Sequence, residues 1–341
     1  MRVLITGGAG FIGINLAANL LKQKHQVHIF DNLSRTGTNY NLEWLKQNQP
    51  KFEFTKGDIR NYEKIKPQIE KADVVYHLAA QVAVTTSVVN PREDFEINLL
   101  GSFNILEAIR NSKNKPILLY ASTNKVYGDL GDVKITETKS AYKFKDLTQG
   151  ISETQPLDFH SPYGCSKGAA DEYIHDYSRI YGIKTIIFRQ SCIYGQHQFG
   201  IEDQGWLAWF TIAVLLNKPI TIYGNGKQTR DVLHVDDLVR AYGAAINHIN
   251  KTKGQIYNIG GGKSNAISVY HEFVPMLKNI LKQNISVKFG PTRPGDQLIF
   301  VSDNRKAKAD FKWQPKISKE DGIKKLIRWI SANKQLIRKV F

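Results

Sequence analysis

The chain opens "MRVLITGGAGFIGINLAANLLKQKHQVHIFD", and this stretch constrains the fold more than anything after it. Val3-Leu4-Ile5 is a short apolar run suited to a buried strand. Gly7, Gly10 and Gly13 follow in one turn. Leu16, Leu20 and Leu21 then recur at the spacing of a helix face, and "QVHIF" reads as a second strand ending at Asp31. Strand, glycine turn, helix and strand form a unit in which backbone can approach a pyrophosphate, with the free N–H groups and positive dipole end of the helix aimed at it. Asp31 stands 18 residues beyond Gly13, where a carboxylate can accept from both hydroxyls of an adenosine ribose. It would repel a 2′-phosphate, so NAD is favoured over NADP. Arg35 nearby is the one residue that would suit that phosphate.

The alternation continues. "FEFTKGD" predicts a third strand with Asp58 at its end, and "DVVYHLAAQ" a fourth with Leu78, Ala79 and Ala80 beyond it. "PILLYAS" and "KTIIFRQS" predict a fifth and a sixth, with helical segments between, notably "DFEINLLGSFNILEAIRN". Strands alternating with helices give the α/β class: a Rossmann-type, doubly wound parallel sheet with ligands beyond the carboxyl ends of its strands. Asp31, Asp58, Ala80, Ser122 and Gln190 all fall at such ends. After about residue 190 the pattern weakens. "DQGWLAWFTIAVLLNKP" predicts a helix, "YGNGKQTRDVLHVDD" reads as turn-rich with a helix from Asp236, and "QIYNIGGG" as one more strand of the large sheet. The expected division is an NAD-binding Rossmann domain from 1–189 with about 229–262. A smaller C-terminal α/β lobe for substrate would take 190–228 with 263–341.

Lys and Arg number 47 against 31 Asp and Glu, a net charge of +16, which raises the question of nucleic acid. The basic residues are spread along the chain. In "SKEDGIKKLIRWISANKQLIRK", Ile323, Leu326, Ile327 and Ile330 share one helical face, so the lysines and arginines read as a solvated face. No nucleic-acid partner is expected, and a positive field suits an anionic nucleotide substrate. No apolar run approaches the ~20 residues of a membrane span, and nothing resembles a signal peptide, so no membrane insertion is expected. Two cysteines, Cys165 and Cys192, cannot build a disulfide framework and fit a reducing cytoplasm. Neither they nor the nine histidines show a metal-ligand spacing, and no metal is expected.

Tyr163 and Lys167, in "YGCSK", lie one helical turn apart on one face. An ammonium near a phenol lowers its pKa, and so does the positive charge of an oxidised nicotinamide. The phenolate can then act as general base on a sugar hydroxyl while hydride leaves the same carbon. Thr123, in "STNKVYG", could hydrogen-bond the reacting oxygen. Thr123, Tyr163 and Lys167 are the expected catalytic residues.

"GGAGFIG", "DNLSR", "GDIRN", "HLAAQ", "YGCSK" and "RDVLHVDD" resemble the extended short-chain dehydrogenase/reductases that act on nucleotide sugars, over nearly the whole chain. "QVAVTTS", "STNKVYGDL", "LDFHSPYGCSKGAADEY", "DQGW" and the long segment between Val126 and Tyr163 resemble one branch of them, the CDP-paratose (CDP-tyvelose) 2-epimerases. In related sugar 4,6-dehydratases an Asp-Glu pair follows the threonine; here Asn124 and Lys125 stand in its place, so elimination lacks its acid and its base. The resemblance implies C-2 epimerisation of a CDP-deoxysugar, CDP-paratose to CDP-tyvelose, by oxidation to a 2-keto sugar and re-reduction on the opposite face with retained NAD. A UDP-hexose 4-epimerase is the alternative, and a non-catalytic cofactor- or RNA-binding relative a more distant one.

The resemblance also implies the contacts. NAD would lie against Gly7, Gly10, Phe11, Ile12, Gly13, Asp31, Asn32, Ser34, Arg35, Asp58, Ile59, Leu78, Ala79, Ala80, Gln81, Asn98, Ser122, Tyr163, Lys167 and Gln190. The CDP-sugar would lie against Thr85, Thr86, Thr123, Asn124, Cys192, Arg230 and Arg293, with Ser87 beside the threonines. Arg230 and Arg293 would hold the diphosphate, whose oxygens match a planar fork of donors. Cys192 replaces an asparagine that often binds substrate in related epimerases. His160 is either a substrate contact or a plain loop histidine. Two helical stretches, "EDFEINLLGSFNILEAIRN" and "SPYGCSKGAADEYIHDYSRIYG", resemble the pair that such enzymes dock across a two-fold axis, so a homodimer or higher homo-oligomer is expected.

Overall fold

The structure, a computed structural model, describes residues 1–49, 51–293 and 296–341. Seven parallel strands form its centre. In spatial order they are Gln255–Ile259, Thr185–Gln190, Ile117–Thr123, Val74–His77, Arg2–Thr6, Gln26–Asp31 and Glu53–Lys56. The six strands expected from the alternation and the extra one at "QIYNIGGG" are all present. The central strands are buried along their whole length because helices cover both faces: all four residues of Val74–His77 and all six of Thr185–Gln190 are buried.

On one face Ile14, Leu16, Ala17 and Leu20 of the Phe11–Lys22 helix pack with Leu238, Val239 and Tyr242 of the Val235–Asn247 helix. On the other, Ile105, Leu106 and Ile109 pack with Ala170 and Ile174 of the Ser161–Tyr181 helix. That second helix carries Pro162 in its first turn and ends at Gly182 with φ +65, a left-handed conformation that glycine adopts without steric cost.

The sequence order of the strands reverses between Arg2–Thr6 and Val74–His77. Chains leave these two neighbours in opposite directions, so a crevice opens beyond their carboxyl ends.

Two local readings are corrected. The "EINLL" part of the predicted long helix is a π-turn, Glu96–Leu100, between the helices Pro91–Phe95 and Gly101–Asn111. The stretch that reads as turn-rich contains a fully buried strand, Thr229–His234. It pairs with Cys192–Tyr194, Ala266–Ser268 and Ile299–Phe300. Polar residues on this strand hid it: Thr229, Arg230 and Asp231 are buried among partners supplied by distant segments, and His234 is buried with them.

A separate core holds the C-terminal part. The Trp206–Leu215 helix packs there with Phe273, Leu277 and the Lys319–Ala332 helix, which buries Ile323, Leu326 and Ile330. The expected apolar face of that last helix is thus directed inward. Its start is capped by Ser318, whose side chain accepts from Asp321 N–H.

Candidate active site

A cavity of about 730 Å³ occupies the crevice. Its floor is the first glycine turn. A Cβ on Gly7, at φ +70, would sit 2.7 Å from the Ala79 nitrogen, and a Cβ on Gly13 would collide with the Gly7 carbonyl, so packing alone requires those two glycines. At Gly10 the nearest atom would be 3.1 Å away, and that residue lines the cavity. Close approach of a ligand is therefore the stronger reason for glycine there, and the cradle fits a dinucleotide pyrophosphate.

Asp31 ends its strand with one carboxylate oxygen accepting from Ala9 N–H (3.0 Å) and the other from Leu33 N–H (2.8 Å). Burial raises its pKa while these N–H groups hold it down. Asp58 bonds Arg60 and Asn32 (3.0 Å), which bring it down to about 2. Both carboxylates are fixed in the loops that a nucleoside would meet.

Tyr163 and Lys167 face the cavity from the Ser161–Tyr181 helix, and Thr123 from the end of its strand. Lys167 Nζ donates to Ala121 O at 2.7 Å and lies 4.1 Å above the Tyr120 ring. Burial pulls this ammonium down to about 7, against Asp171 and Asp94, which raise it. The phenol differs from expectation. Burial pushes Tyr163 up to about 12, opposed by the Thr123 hydroxyl and the Arg35 guanidinium and reinforced by Asp94. The lysine spends its hydrogen bond on the strand carbonyl, so it does not by itself make a phenolate. Underneath, Ser122 Oγ donates to Asp171, whose two oxygens take a fork from Arg189 at 2.9 and 3.0 Å. Arg189 reaches the Tyr127 hydroxyl at 3.2 Å, tying the strand end to the helix.

The other residues expected to meet cofactor or substrate line this cavity, except Asn98 and Ser87; Asn98 lies apart from it. It sits in the π-turn behind the site. Its Oδ1 accepts from Gln81 N–H at 2.9 Å, and its Nδ2 donates to Asp94 (3.0 Å) and Ser166 (3.2 Å). The π-turn turns this asparagine toward the loop after Val74–His77, so Asn98 is a positioning residue. Ser87 is likewise no lining residue: its hydroxyl accepts from Tyr163 N–H at 3.1 Å and donates to Val84 O, anchoring the start of the helix. His160 pairs with Asp158 at 2.9 Å on the surface and, with Asp129, forms an exposed cluster outside the cavity.

The substrate side is built from distant segments. Arg230 donates to Thr229 O, to Asp296 at 2.7 Å and to Gln297 O at 2.6 Å. Arg293 pairs with Asp203 at 3.1 Å and stacks 3.8 Å over Tyr223. Asn124 Nδ2 leans on Gln297 at 3.4 Å. Burial raises the pKa of the Cys192 thiol, so it is a neutral lining group. Gln198, Tyr223 and Gln228 also line this side without having been singled out by motif or spacing, and Trp206 lines it from the "DQGW" stretch. Trp206 Nε1, Gln198 Oε1, Gln228 Oε1 and Thr85 Oγ1 are buried without a partner among the described residues. Of Gln198, Tyr223, Gln228 and Trp206, only Trp206 has a sequence signal, the "DQGW" stretch.

Residues 4–326 match the family described as GDP-mannose 4,6 dehydratase. The chain belongs to that family. Within it, the chain is 46% identical to the CDP-paratose 2-epimerase of Salmonella typhi, covering 97% of this chain and 100% of that protein. It is 34% identical to a putative UDP-glucose 4-epimerase of Methanocaldococcus jannaschii, over 97% and 99%. Among solved structures, the UDP-glucuronic acid 4-epimerase of Bacillus cereus, in complex with UDP-glucuronic acid and NAD, superposes with a TM-score of 0.84. It is 30% identical, over 98% of this chain and 100% of that one. The chain thus matches a family named for a dehydratase and is also similar to epimerases, so the family name does not fix the reaction of a chain that has Asn124 and Lys125 after Thr123.

Proposed function

We propose that this protein is an NAD-dependent isomerase that epimerises CDP-paratose to CDP-tyvelose at C-2. The observation that carries the reading is the joint presence of Thr123, Tyr163 and Lys167 on one cavity with Asn124 and Lys125 beside them. This set can oxidise and re-reduce a carbinol, yet it has no acid–base pair for elimination. The 46% identity to a CDP-paratose 2-epimerase supports the substrate.

When bound, NAD supplies the hydride acceptor and donor, and its positive nicotinamide lowers the pKa of a nearby phenol. The glycine cradle and the Asp31 carboxylate are the groups that would hold it, and the structure they form fits it. Tyr163 takes the proton of the C-2 hydroxyl and later returns one. Thr123 holds the same oxygen by hydrogen bond. Lys167 fixes the helix against Ala121 and adds positive charge to a buried site. Arg230 and Arg293 hold the diphosphate while the 2-keto sugar turns between its two faces.

Assembly follows from the surface. Val88, Val89, Phe95 and Leu100 are exposed on one stretch, and Tyr173, Ile180 and Tyr181 on the Ser161–Tyr181 helix. A second copy would cover these as a homo-oligomer; a monomeric mass in solution would contradict it. Among the described residues no helix is long and apolar enough to cross a membrane; a cytoplasmic enzyme is proposed because the two free cysteines, Cys165 and Cys192, fit a reducing compartment.

The test is incubation with CDP-paratose, UDP-glucose and CDP-glucose, followed by NMR. CDP-tyvelose should form. A 4-epimer of UDP-glucose as the favoured product, or a 4-keto-6-deoxy product, would contradict the reading.

A further inference from the structure

Lys125 serves above only as an absence, the base that elimination would need. Its surroundings give it a task. Its backbone N–H donates to Thr123 Oγ1 at 3.2 Å, and its side chain lines the same cavity. Its carbonyl accepts from Gly128 N–H at 3.2 Å, and among the described residues its ammonium has neither a hydrogen bond nor an ion-pair partner. Burial and the Arg230 guanidinium bring the ammonium down to about 8, against Asp296 and Cys192, which raise it. Asp296 is already committed to Arg230 at 2.7 Å.

The three cations of the substrate wall therefore differ. Arg230 spends three of its five N–H donors on Thr229 O, Asp296 and Gln297 O. Arg293 is shared with Asp203 and the Tyr223 ring. Lys125 keeps all three ammonium donors, half-buried and open to the cavity. A desolvated cation without a counter-charge is costly unless a ligand supplies one.

The geometry of a nucleotide sugar says which oxygen that is. The sugar-proximal phosphorus is three bonds from C-2 but five from C-4. An enzyme that presents C-2 to its threonine and tyrosine must draw that phosphate close to them, whereas one that presents C-4 leaves it across the ring. Lys125, two residues from Thr123 and bonded to its hydroxyl through the backbone, is the cation of this wall nearest to that threonine in the chain. We infer that Lys125 is a specificity-determining residue whose ammonium takes the sugar-proximal phosphate of the CDP-sugar and thereby sets C-2, rather than C-4, against Tyr163 and Thr123. The inference rests on the C-2 reading above.

The experiment compares the holoenzyme with K125M, K125Q and K125R, following CDP-paratose kinetics, CDP affinity by calorimetry and bound NAD. The two neutral variants should keep NAD. Their CDP affinity should fall, and KM for CDP-paratose rise, by roughly 10–100-fold, the loss of one charge-assisted hydrogen bond. Their kcat should fall as well, because C-2 is no longer held in register. K125R should recover most of the binding. For the wild type, kcat/KM should decline above about pH 8 as the free ammonium loses its proton, and K125R should lack that limb.

Unchanged CDP affinity in both neutral variants would overturn the phosphate contact. Weakened CDP binding with unchanged kcat would overturn the choice of carbon. A wild-type enzyme inert toward CDP-paratose would remove the C-2 reading itself and this inference with it. A wild type that turns over beside neutral variants that behave identically would sink the inference alone.

Discussion

The two walls of the cavity are made by different means. On the cofactor wall, backbone turns and short-range contacts do the building: Gly7 against Ala79, Asp31 on Ala9 and Leu33, Asp58 on Asn32 and Arg60. Its polar groups are satisfied within a few residues or by the neighbouring strand. On the substrate wall, side chains from residues 85, 125, 198, 206, 228, 230 and 293 converge from separate elements, and several polar atoms have no partner. A preformed wall suits a cofactor that stays bound through the cycle. A wall with unspent donors and acceptors suits a sugar that must be gripped by its diphosphate and still turn over.

The largest effect should come where the walls meet. Tyr163→Phe removes the proton acceptor and little volume. Turnover should fall on the order of 10²–10⁴-fold while CDP-sugar binding survives, as kcat and calorimetric affinity measured together would show. Affinity lost in step with rate would mean that the phenol belongs to the substrate grip and not to the chemistry.

Next is the support beneath both walls. Asp171→Asn removes the carboxylate charge against the buried Arg189, leaving it only Glu172 at 3.5 Å, and takes away one of the two oxygens that Arg189 and Ser122 share. Breaking such a pair costs about 3–5 kcal/mol, so the urea midpoint should fall well below wild type. A midpoint within error of wild type would show that the pair is dispensable and that the strand end is held by other contacts.

The smallest effect separates the cofactor wall from its scaffold. Asp31→Ala should weaken NAD binding by about 1–3 kcal/mol, the loss of one or a few hydrogen bonds, and relax discrimination against NADP. Tighter binding of NADP than NAD by the wild type would assign the second ribose to Arg35 instead.

The contrast also explains what the sequence revealed. The glycine turn, Asp31 and the strand ends were legible because glycine spacing and apolar runs mark them locally, even though their contacts run to neighbouring strand ends, Ala9 for Asp31 and Ala79 for Gly7. Asn98 was legible as a residue of the site, but its place behind the loop was not, because a π-turn has no local signature in "EINLL". The Thr229–His234 strand was hidden because Asp231 and Arg230 find their partners at Ser302 and Asp296, some seventy residues on. The surroundings of the Tyr163 phenol were illegible for a related reason: spacing puts Lys167 one turn away, but only the fold shows its ammonium donating to Ala121 O. Gln198, Trp206 and Gln228 meet the cavity through tertiary structure alone, and no spacing in the chain announces it.

The central claim is that this cavity oxidises and re-reduces one carbon. It is tested most directly with CDP-paratose carrying deuterium at C-2, in ordinary water. If the C-2 hydrogen leaves and returns as hydride within the site, the CDP-tyvelose formed keeps its deuterium at C-2. Loss of the label to solvent would demand a deprotonation route that Asn124 and Lys125 were read as excluding, and it would contradict the account.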